Sequence, residues 1–527
     1  MPSSERQYQD MAKTASWTMV SRVLGLVRDQ MIAAVFGSGA AGAAFLFAFQ
    51  IPNLFRRLLG EGALTAAIVP VLAQKRQDEG VQASHDFLNH VLRRVAPWML
   101  LITLGVSGCA LAVSFLIDDP RHAWAAELTA CCMPYMPLIC LAALFTAAVN
   151  LTGRFGLAEI ASGLLNVCMI ASLGLGGLLF AGSDIARARW LCAGALLGGL
   201  LQLLVPMWGL RKAGWRQGPG RADEKSWSVL RAAFIPAAFG AGVQQVNFLV
   251  SRFLAYDVSD SGLTYYYIAN RIVELPIGLF SASVATVMFP ALASAWAGRD
   301  DARLSADFAR GFRLILAVNI GAAVGLAVLA EPIIRLLFEF GRFSAVDCAN
   351  TRILLVLFAF TMPFYALMSL VTRALNVAGE TRSTFHAAMQ ALAVNVALSL
   401  VSVLTGQGVE GLAVANGAST VWQYAVLRRS LKERAPQFLG PSFVSPLFKA
   451  CTGSLVMGVV AYQGHHLLVG RMSEWLGGKG GLIASMTLAG AAAMAVYAFI
   501  LDRWAYPERD MLRDFSSRIF SRFIRRA

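Results

Sequence analysis

The residues most able to do chemistry in this 527-residue chain are nine arginines within or beside apolar segments. They are Arg22, Arg28, Arg56, Arg57, Arg252, Arg271, Arg335, Arg352 and Arg373. An arginine at the bilayer centre costs about 2.5–3.5 kcal/mol on a lenient insertion scale, so nine facing lipid would cost roughly 20–30 kcal/mol. A folded domain does not have that much stability to lose. The deep arginines must therefore face a water-filled cavity or a partner, which indicates an anionic cargo.

The first apolar segment places two basic residues and one acidic residue close together. Arg22 and Asp29 are seven positions apart, so a helix puts them within about 20° on one face, with Arg28 roughly 120° away. An arginine beside an aspartate is partly neutralised at rest and freed when an anion arrives. The alternative is an internal ion pair that ties this helix to the bundle.

The second segment reads FQIPNLFRRLLGEGAL. Adjacent helical residues point about 100° apart, so at most one of Arg56 and Arg57 faces a cavity, and we favour Arg56. Gly60 and Gly62 can break the helix. Glu61 between them can pair with one arginine.

The eighth segment carries NRIVELP, in which Arg271 and Glu274 share a helix face. Arg252, near the end of the seventh segment, can join them. Three arginines lie nearer to span ends and are expected to snorkel to the interface: Arg335, Arg352 and Arg373. Arginine is planar, bidentate and always charged, which suits a diphosphate-bearing cargo and repels a drug-like cation.

Composition places these residues in a polytopic membrane protein. The chain is 57% hydrophobic and 14% charged, whereas soluble proteins carry about 25% charged residues. Apolar runs of about 20 residues predict fourteen transmembrane helices. They lie at 12–36, 41–72, 90–117, 123–152, 158–182, 188–211, 229–255, 262–295, 312–338, 351–377, 384–405, 409–431, 447–469 and 480–502. The second and eighth runs are long and hold Pro52 and Pro276, which predicts kinks.

The distribution of basic residues predicts orientation. Apart from the nine intramembrane arginines, thirty Lys and Arg lie on the side of the N-terminus and six on the other. This bias predicts a multi-pass membrane protein with both termini in the cytoplasm. The net charge of +14 then reflects topology rather than nucleic-acid binding. The eight cysteines mostly lie in apolar runs and predict buried small side chains, with neither a disulfide framework nor a metal site.

An internal repeat organises the helices. MPLICLAALFTAAVNLTG (136–153) and MPFYALMSLVTRALNVAG (362–379) share eight of eighteen residues, including Pro, Asn and Gly. Helices 1–6 therefore repeat as helices 7–12, and an even number makes the repeats parallel. We predict an all-α membrane fold of two six-helix repeats around a central cavity, typical of alternating-access transporters, with helices 13 and 14 added.

The predicted domains follow from this repeat. They are an N-lobe at 1–218, a C-lobe at 219–436, helices 13–14 at 437–504 and a tail at 505–527. The tail alternates Phe and Ile with Arg, so it is predicted to be either a basic amphipathic helix on an anionic leaflet or a frayed end.

Four motifs resemble one known family. SRVLGLVRD (21–29), PNLFRRLLGEGAL (52–64), YYYIANRIVELPIGLF (265–280) and RALNVAGETR (373–382) look like those of the MurJ (MviN) lipid II flippases of the multidrug/oligosaccharidyl-lipid/polysaccharide exporter superfamily. The resemblance covers essentially the whole chain. It implies that the cargo is undecaprenyl-pyrophosphate-linked disaccharide-pentapeptide, moved to the outer leaflet for peptidoglycan synthesis. It also implies a lipid-tail groove along helices 13 and 14.

Motif matching implies a set of functional charges. The implied pyrophosphate-binding residues are Arg22, Arg28, Arg56 and Arg271, with Arg252 assisting, and the implied charge partners are Asp29, Glu61 and Glu274. The chain departs from the family at Ala43 and Asn270, where a carboxylate is usual, and this concerns ion or proton coupling. The cycle could be driven by membrane potential, by the cargo gradient, or by Na⁺ or H⁺ at an unidentified site. No other cofactor is expected.

Other functions compete less well. A flippase or exporter for another polyprenyl-linked saccharide, such as an O-antigen or capsule unit, would share this fold. A cation antiporter needs an acidic cavity. A membrane glycosyltransferase needs a catalytic carboxylate in a sizeable outer loop, whereas the outer loops here are short. We therefore expect a monomeric transporter, not an enzyme, whose partners are lipid II and the bilayer.

Overall fold

The computed structural model describes residues 4–154, 156–180, 182–220, 223–278, 282–440 and 443–510. Within these ranges the secondary structure is helical and includes no strand. Eight helical stretches have the length and composition of a membrane span. They are Val81–Leu116, Pro120–Asn150, Leu157–Leu179, Asp184–Arg211, Asp301–Val328, Ala345–Val377, Thr381–Leu404 and Val444–Arg503. The predicted all-α membrane fold is confirmed.

Seventeen α-helices lie in the described ranges. They are α1 (Ser4–Phe36), α2 (Ala40–Phe55), α3 (Leu64–Asp78), α4 (Val81–Leu116), α5 (Pro120–Cys132), α6 (Tyr135–Asn150), α7 (Leu157–Leu179), α8 (Asp184–Arg211), α9 (Glu224–Val258), α10 (Gly262–Pro276), α11 (Ala282–Ala297), α12 (Asp301–Val328), α13 (Ala330–Phe338), α14 (Ala345–Val377), α15 (Thr381–Leu404), α16 (Gly408–Arg434) and α17 (Val444–Arg503). Each predicted span coincides with one or two of these helices. The predicted spans outside those eight stretches are less apolar or shorter, because they carry charged or amide residues within the membrane or because the helix is interrupted.

Several helices begin earlier in the chain than the apolar runs that predicted them, and α4 and α12 show this most clearly. The α4 helix starts at Val81 rather than 90, and α12 starts at Asp301 rather than 312. A helix can leave the hydrocarbon region if its end is capped, and the Asp300 side chain accepts the Arg303 N–H at 3.0 Å. Hydropathy reports only the apolar part of such a helix, which explains the difference.

The second and eighth runs are both interrupted near their centres. A π-helix, Arg56–Ala63, separates α2 from α3. The α10 helix ends at Pro276 and is followed by two π-helical residues, 277 and 278. In both runs the change follows a proline closely. Wider π turns are frequent at functional sites and redirect the side chains that follow.

The internal repeat is visible in a helix cap. Gly153 and Gly379, which the repeat aligns, both have φ of +79°. Their N–H groups donate to the carbonyls of Asn150 and Asn376 at 3.0 and 3.1 Å. A left-handed residue after a helix favours glycine, so the aligned Asn and Gly form the same C-terminal cap in both copies.

Chain contacts divide the protein into two compact units. Unit 1 contains residues 1–264 and 340–344, and unit 2 contains 265–339 and 345–527. In unit 1, α9 packs on α2, α3 and the π-helix, although the repeat assigns this helix to the second lobe. The predicted lobe limits at 218, 436 and 504 stay predictions. Residues 511–527, most of the predicted amphipathic tail, lie outside the described ranges.

Helix packing in unit 1 depends on small residues. The α7–α8 and α6–α8 pairs make its largest helix contacts. A Cβ on Gly198 would lie 2.7 Å from the Leu165 side chain, and one on Gly199 would lie 2.5 Å from the Tyr135 ring. Glycine therefore permits the close helix approach that stabilises bundles in lipid.

The last helical stretch is a hairpin in unit 2. Gly477 has φ of 75° and ψ of 165°, which turns the chain between the predicted helices 13 and 14. The two arms are in contact, since Ser485 Oγ lies 3.1 Å from His465 Nδ1. At the far end, the Tyr497 hydroxyl donates to the Ala317 carbonyl of α12 at 2.8 Å, which attaches the hairpin to the core of unit 2.

The linker before α9 is fixed to the predicted cytoplasmic ends of neighbouring helices. The Trp215 indole donates to Asn89 Oδ1 at 3.0 Å. The Asp223 carboxylate accepts the Ser226 N–H at 3.0 Å and pairs with Lys75. Burial alone would raise the pKa of Asp223, but the Lys75 hydrogen bond and the Ser226 N–H outweigh it and leave this pKa well below 3.8. Burial alone would lower the pKa of Lys75, but the carboxylates of Asp223 and Glu79 outweigh it and raise this pKa above 10.5.

These shifts predict how pH affects stability. A depressed carboxyl pKa contributes stability above its unfolded value, and this contribution is lost as the pH falls below about 4. The raised Lys75 pKa contributes below 10.5 and is lost as the pH rises further. Asp223→Asn keeps the helix cap but should destabilise unit 1 by on the order of 1 kcal/mol at neutral pH. The difference from wild type in thermal unfolding should shrink below about pH 4.

Asp300→Asn is the control, because this aspartate also caps a helix but forms no ion pair with a lysine in the described ranges. If the wild type remained more stable than Asp223→Asn by the same amount below about pH 4, the contribution assigned to the Asp223–Lys75 ion pair would be contradicted.

The backbone of Gly477 predicts a second effect on stability. An alanine there would occupy a region that is essentially restricted to glycine, so Gly477→Ala should cost about 1–3 kcal/mol. Gly470→Ala is the matched control, because Gly470 is helical and an added Cβ meets nothing within 4 Å. It should be neutral or stabilise by about 0.5–1 kcal/mol. Thermal unfolding in detergent followed by tryptophan fluorescence measures both, and equal effects would refute the turn assignment.

Candidate functional site

Arg28 is the most firmly held of the intramembrane arginines in unit 1. Its Nε and Nη2 donate to Asp29 Oδ1 at 3.0 and 2.7 Å. Its Nη1 donates to Asn166 Oδ1 at 3.0 Å. The side chains of Arg28 and Asp29 are 13% and 1% exposed. A charge-assisted pair this buried has a fixed geometry rather than a solvated, mobile one.

The sequence placed Asp29 on the same helix face as Arg22, which suggested an ion pair between them. Asp29 pairs instead with its sequence neighbour Arg28. Arg22 is exposed and forms no hydrogen bond or ion pair within the described ranges. The Cβ directions of neighbouring residues diverge, but the long arginine side chain bends towards the interior, where α7 provides an amide. The position of a residue on a helix face therefore does not predict where the end of a long side chain lies.

Asn166 is a site residue that sequence reasoning missed. It is 5% exposed on α7. Its Nδ2 donates to the Ser21 carbonyl of α1 at 3.2 Å, and nearby the Ser21 hydroxyl donates to Ser162 Oγ at 3.1 Å. The sequence does contain a signal that could have identified Asn166. It is the single amide within the apolar run GLLNVCMIA, since such residues often form hydrogen bonds between membrane helices.

Arg56 borders a cavity within unit 1. Its Nε donates to Asn53 Oδ1 at 3.1 Å. The cavity has a volume of about 580 Å³. Its polar lining includes Thr65, Thr146, Asn150 and Gln202, and alanines form much of the remainder. One cation among hydroxyls and amides suits an anionic or hydroxylated group.

Arg57 takes a different direction from Arg56. Its guanidinium lies over the Phe248 ring, with the central carbon 5.0 Å from the ring centroid. The Glu61 side chain, which was predicted to pair with one of these arginines, lies outside the described part of the chain.

Arg252 of α9 is buried, with 6% exposure. Its guanidinium carbon lies 3.7 Å from the Phe248 ring centroid, and its Nη1 donates to Gln50 Oε1 at 3.4 Å. An aromatic face and an amide stabilise a cation without neutralising it. These two contacts hold the guanidinium without adding a negative charge.

Arg271 lies in unit 2, on α10, with Glu274 as predicted. Its Nη1 is 3.6 Å from Glu274 Oε2. Asn270, one of the two departures from the family pattern, donates to Glu274 Oε1 at 3.1 Å. An aspartate at this position would repel Glu274, whereas the amide stabilises it.

The span-end arginines of unit 2 were predicted to snorkel, and two of them also form ion pairs. Arg335 lies 2.8 Å from Glu331 and 3.8 Å from Glu339. Arg352 lies 3.1 Å from the same Glu331. Both side chains are about half exposed. Exposed pairs of this kind contribute little to stability, so these arginines remain at the margins of any cargo site.

The predicted cationic residues are thus divided between the units. Arg22, Arg28, Arg56 and Arg252 lie in unit 1, and Arg271 lies in unit 2. Within the described ranges, no group of three His, Cys, Asp or Glu residues could hold a metal ion.

Sequence comparisons identify related proteins. A family model described as "Lipid II flippase MurJ" matches residues 32–476. A probable lipid II flippase MurJ of Haemophilus influenzae is 29% identical over 478 residues, which cover 87% of this chain and 92% of that protein. The corresponding Vibrio cholerae protein is 28% identical over 515 residues, covering 94% and 95%.

Solved structures share the fold. "Lipid II flippase MurJ, inward closed conformation" superposes with a TM-score of 0.76 at 23% identity, covering 95% of this chain and 99% of that one. An inward-facing multidrug resistance MATE transporter of the MOP superfamily gives a TM-score of 0.65 at 12% identity, covering 81% and 98%.

The buried Arg28–Asp29 pair predicts a non-additive response to mutation. Asp29→Asn would leave the Arg28 charge poorly compensated and should destabilise the protein by on the order of 3 kcal/mol. Adding Arg28→Gln should restore most of that loss, because no desolvated charge remains. Thermal unfolding of both single variants and the double variant measures the coupling.

Glu433→Gln is the control, since it breaks an exposed pair with Arg429 and should change stability by less than about 0.5 kcal/mol. Additive losses at Arg28 and Asp29 would contradict the pairing.

Proposed function

The chain belongs to the lipid II flippase MurJ family, and we propose on this basis that it moves lipid II from the inner to the outer leaflet. The proposed cargo is undecaprenyl-pyrophosphate-linked disaccharide-pentapeptide. The proposed location is a bacterial inner membrane, with both termini in the cytoplasm, and the proposed active form is a monomer. The chemistry is transport, and no covalent step is assigned to it.

The buried, paired position of the Arg28 side chain is the observation that carries this proposal. A guanidinium that is only 13% exposed in a membrane helix is energetically costly, and such residues usually have a function. Asp29 offsets one positive charge, but α1 and α9 carry Arg22 and Arg252 in addition. Unit 1 therefore presents excess positive charge within the membrane. A pyrophosphate provides two negative charges and oxygens spaced for bidentate guanidinium contacts.

The mechanism follows from competition between carboxylates and cargo. Asp29 on Arg28, and Glu274 on Arg271, hold each guanidinium in place while no cargo is bound. A pyrophosphate would share these guanidiniums and reduce repulsion among the cations. We propose that this relief permits alternating access, while the polyprenyl tail remains in lipid along the α17 hairpin. Each arginine that binds the phosphates should contribute about 1.5–3 kcal/mol, or roughly 10- to 100-fold in affinity.

The driving force is a separate proposal. Asn270 donates to Glu274 in place of a second carboxylate, which lowers the number of ionisable groups near Arg271. We propose that membrane potential or the cargo gradient contributes most, with Na⁺ or H⁺ coupling at an unidentified site as the alternative.

Complementation tests the cargo. In a bacterium depleted of its essential lipid II flippase, the wild-type chain should restore growth, whereas Arg28→Ala and Arg271→Ala should not. Arg429→Ala is the matched control, because Arg429 is 81% exposed in a helix-surface pair, and it should rescue fully. Immunoblots check that the variants reach equal levels in the membrane.

The outcomes separate the candidates. Failure of a well-expressed wild type would overturn lipid II as cargo and favour another polyprenyl-linked saccharide, to be tested with an O-antigen flippase mutant. Rescue by both arginine variants would retain the function and reject the arginine site.

A further inference from the structure

We propose that Asn166 is a positioning residue that fixes the plane of the Arg28 guanidinium for its contact with the cargo phosphates. The inference rests on the proposed function and adds to it a residue outside the set of charged side chains.

The Asn166 amide has a single favourable orientation. Its Oδ1 accepts from Arg28 Nη1 at 3.0 Å, and its Nδ2 donates to the Ser21 carbonyl at 3.2 Å. A flipped amide would direct its NH₂ at the guanidinium and its oxygen at a carbonyl, replacing two attractions with two repulsions. Because the side chain is 5% exposed, water cannot readily compensate for either loss. The acceptor that faces Arg28 is therefore fixed.

Two partners then define the guanidinium plane. Asp29 Oδ1 accepts from Nε and Nη2 on one side, and Asn166 accepts from Nη1. Rotation of the planar group would lengthen at least one of these contacts. Asp29 belongs to the same helix as Arg28, whereas Asn166 anchors the group to α7. A donor held in place before binding loses less conformational freedom when a phosphate arrives, which raises affinity.

A second polar contact between the same helices supplies a control. The Ser21 hydroxyl donates to Ser162 Oγ at 3.1 Å and makes no hydrogen bond to Arg28 within the described ranges. Ser21→Ala therefore removes a tether between α1 and α7, and it keeps both the Arg28 contacts and the Ser21 carbonyl that accepts from Asn166. Asn166→Ser complements it, because a hydroxyl is too short to span from α7 to Nη1 yet remains polar within the helix contact.

The test measures lipid II binding to the full-length protein in nanodiscs by native mass spectrometry. The variants are Asn166→Ala, Asn166→Ser, Arg28→Ala, the double variant Asn166→Ala with Arg28→Ala, and Ser21→Ala. We expect Asn166→Ala and Asn166→Ser to weaken binding by about five- to tenfold, which is less than the loss of one charge-assisted hydrogen bond because Arg28 itself remains. Ser21→Ala should bind within about twofold of wild type.

Non-additivity distinguishes positioning from a structural role. If Asn166 acts through Arg28, the double variant should bind no more weakly than Arg28→Ala. Affinities that multiply in the double variant would overturn the proposal, as would equal weakening by Asn166→Ala and Ser21→Ala. If Asn166→Ala does not fold, as judged by thermal unfolding, Asn166→Ser and its double variant with Arg28→Ala decide by the same criteria.

The test also separates this proposal from the proposed function. Wild-type binding that Asn166→Ala and Asn166→Ser leave unchanged would overturn only the positioning role. Absence of lipid II binding by the wild type would overturn the function, and the positioning role for this cargo with it.

Discussion

The need to hold a buried guanidinium inside a membrane shapes the helix packing of unit 1. A guanidinium away from water requires partners for its N–H groups, and Arg28 obtains them from its own helix and from α7. The same amide that receives Arg28 also receives the α1 backbone at Ser21. The position of α1 against α7 is thus linked to the orientation of a functional cation. Ordinary apolar packing would leave this angle less specified, because lipid provides no hydrophobic drive between helices.

Arg252 satisfies the same constraint by other means. An aromatic face and an amide surround it, so its charge is stabilised but not cancelled by these groups. Arg28 and Arg252 are therefore held by different chemistry. A carboxylate and an amide contact Arg28, whereas an aromatic ring and an amide contact Arg252.

Sequence reasoning predicted the features that depend on composition and period. The helical spans and the i, i+3 pair of Arg271 with Glu274 follow from local rules. The Asn and Gly that the repeat aligns at 150–153 and 376–379 form the same cap in both copies. Helical-wheel angles were less informative where a long side chain chooses between partners, because they locate Cβ atoms and not guanidiniums. They placed Asp29 on one face with Arg22, whereas its ion pair is with Arg28. Asn166 was missed because its role exists only when two distant segments meet.

The departure at Asn270 illustrates why a family pattern must be interpreted through local chemistry. Replacing a carboxylate by an amide next to Glu274 removes like-charge repulsion and adds a donor at 3.1 Å. Glu274 then accepts a hydrogen bond from Asn270 and lies 3.6 Å from the Arg271 guanidinium. An anionic cargo that bound Arg271 would therefore compete with Glu274 for this guanidinium, whereas the Asn270 amide would keep Glu274 in place.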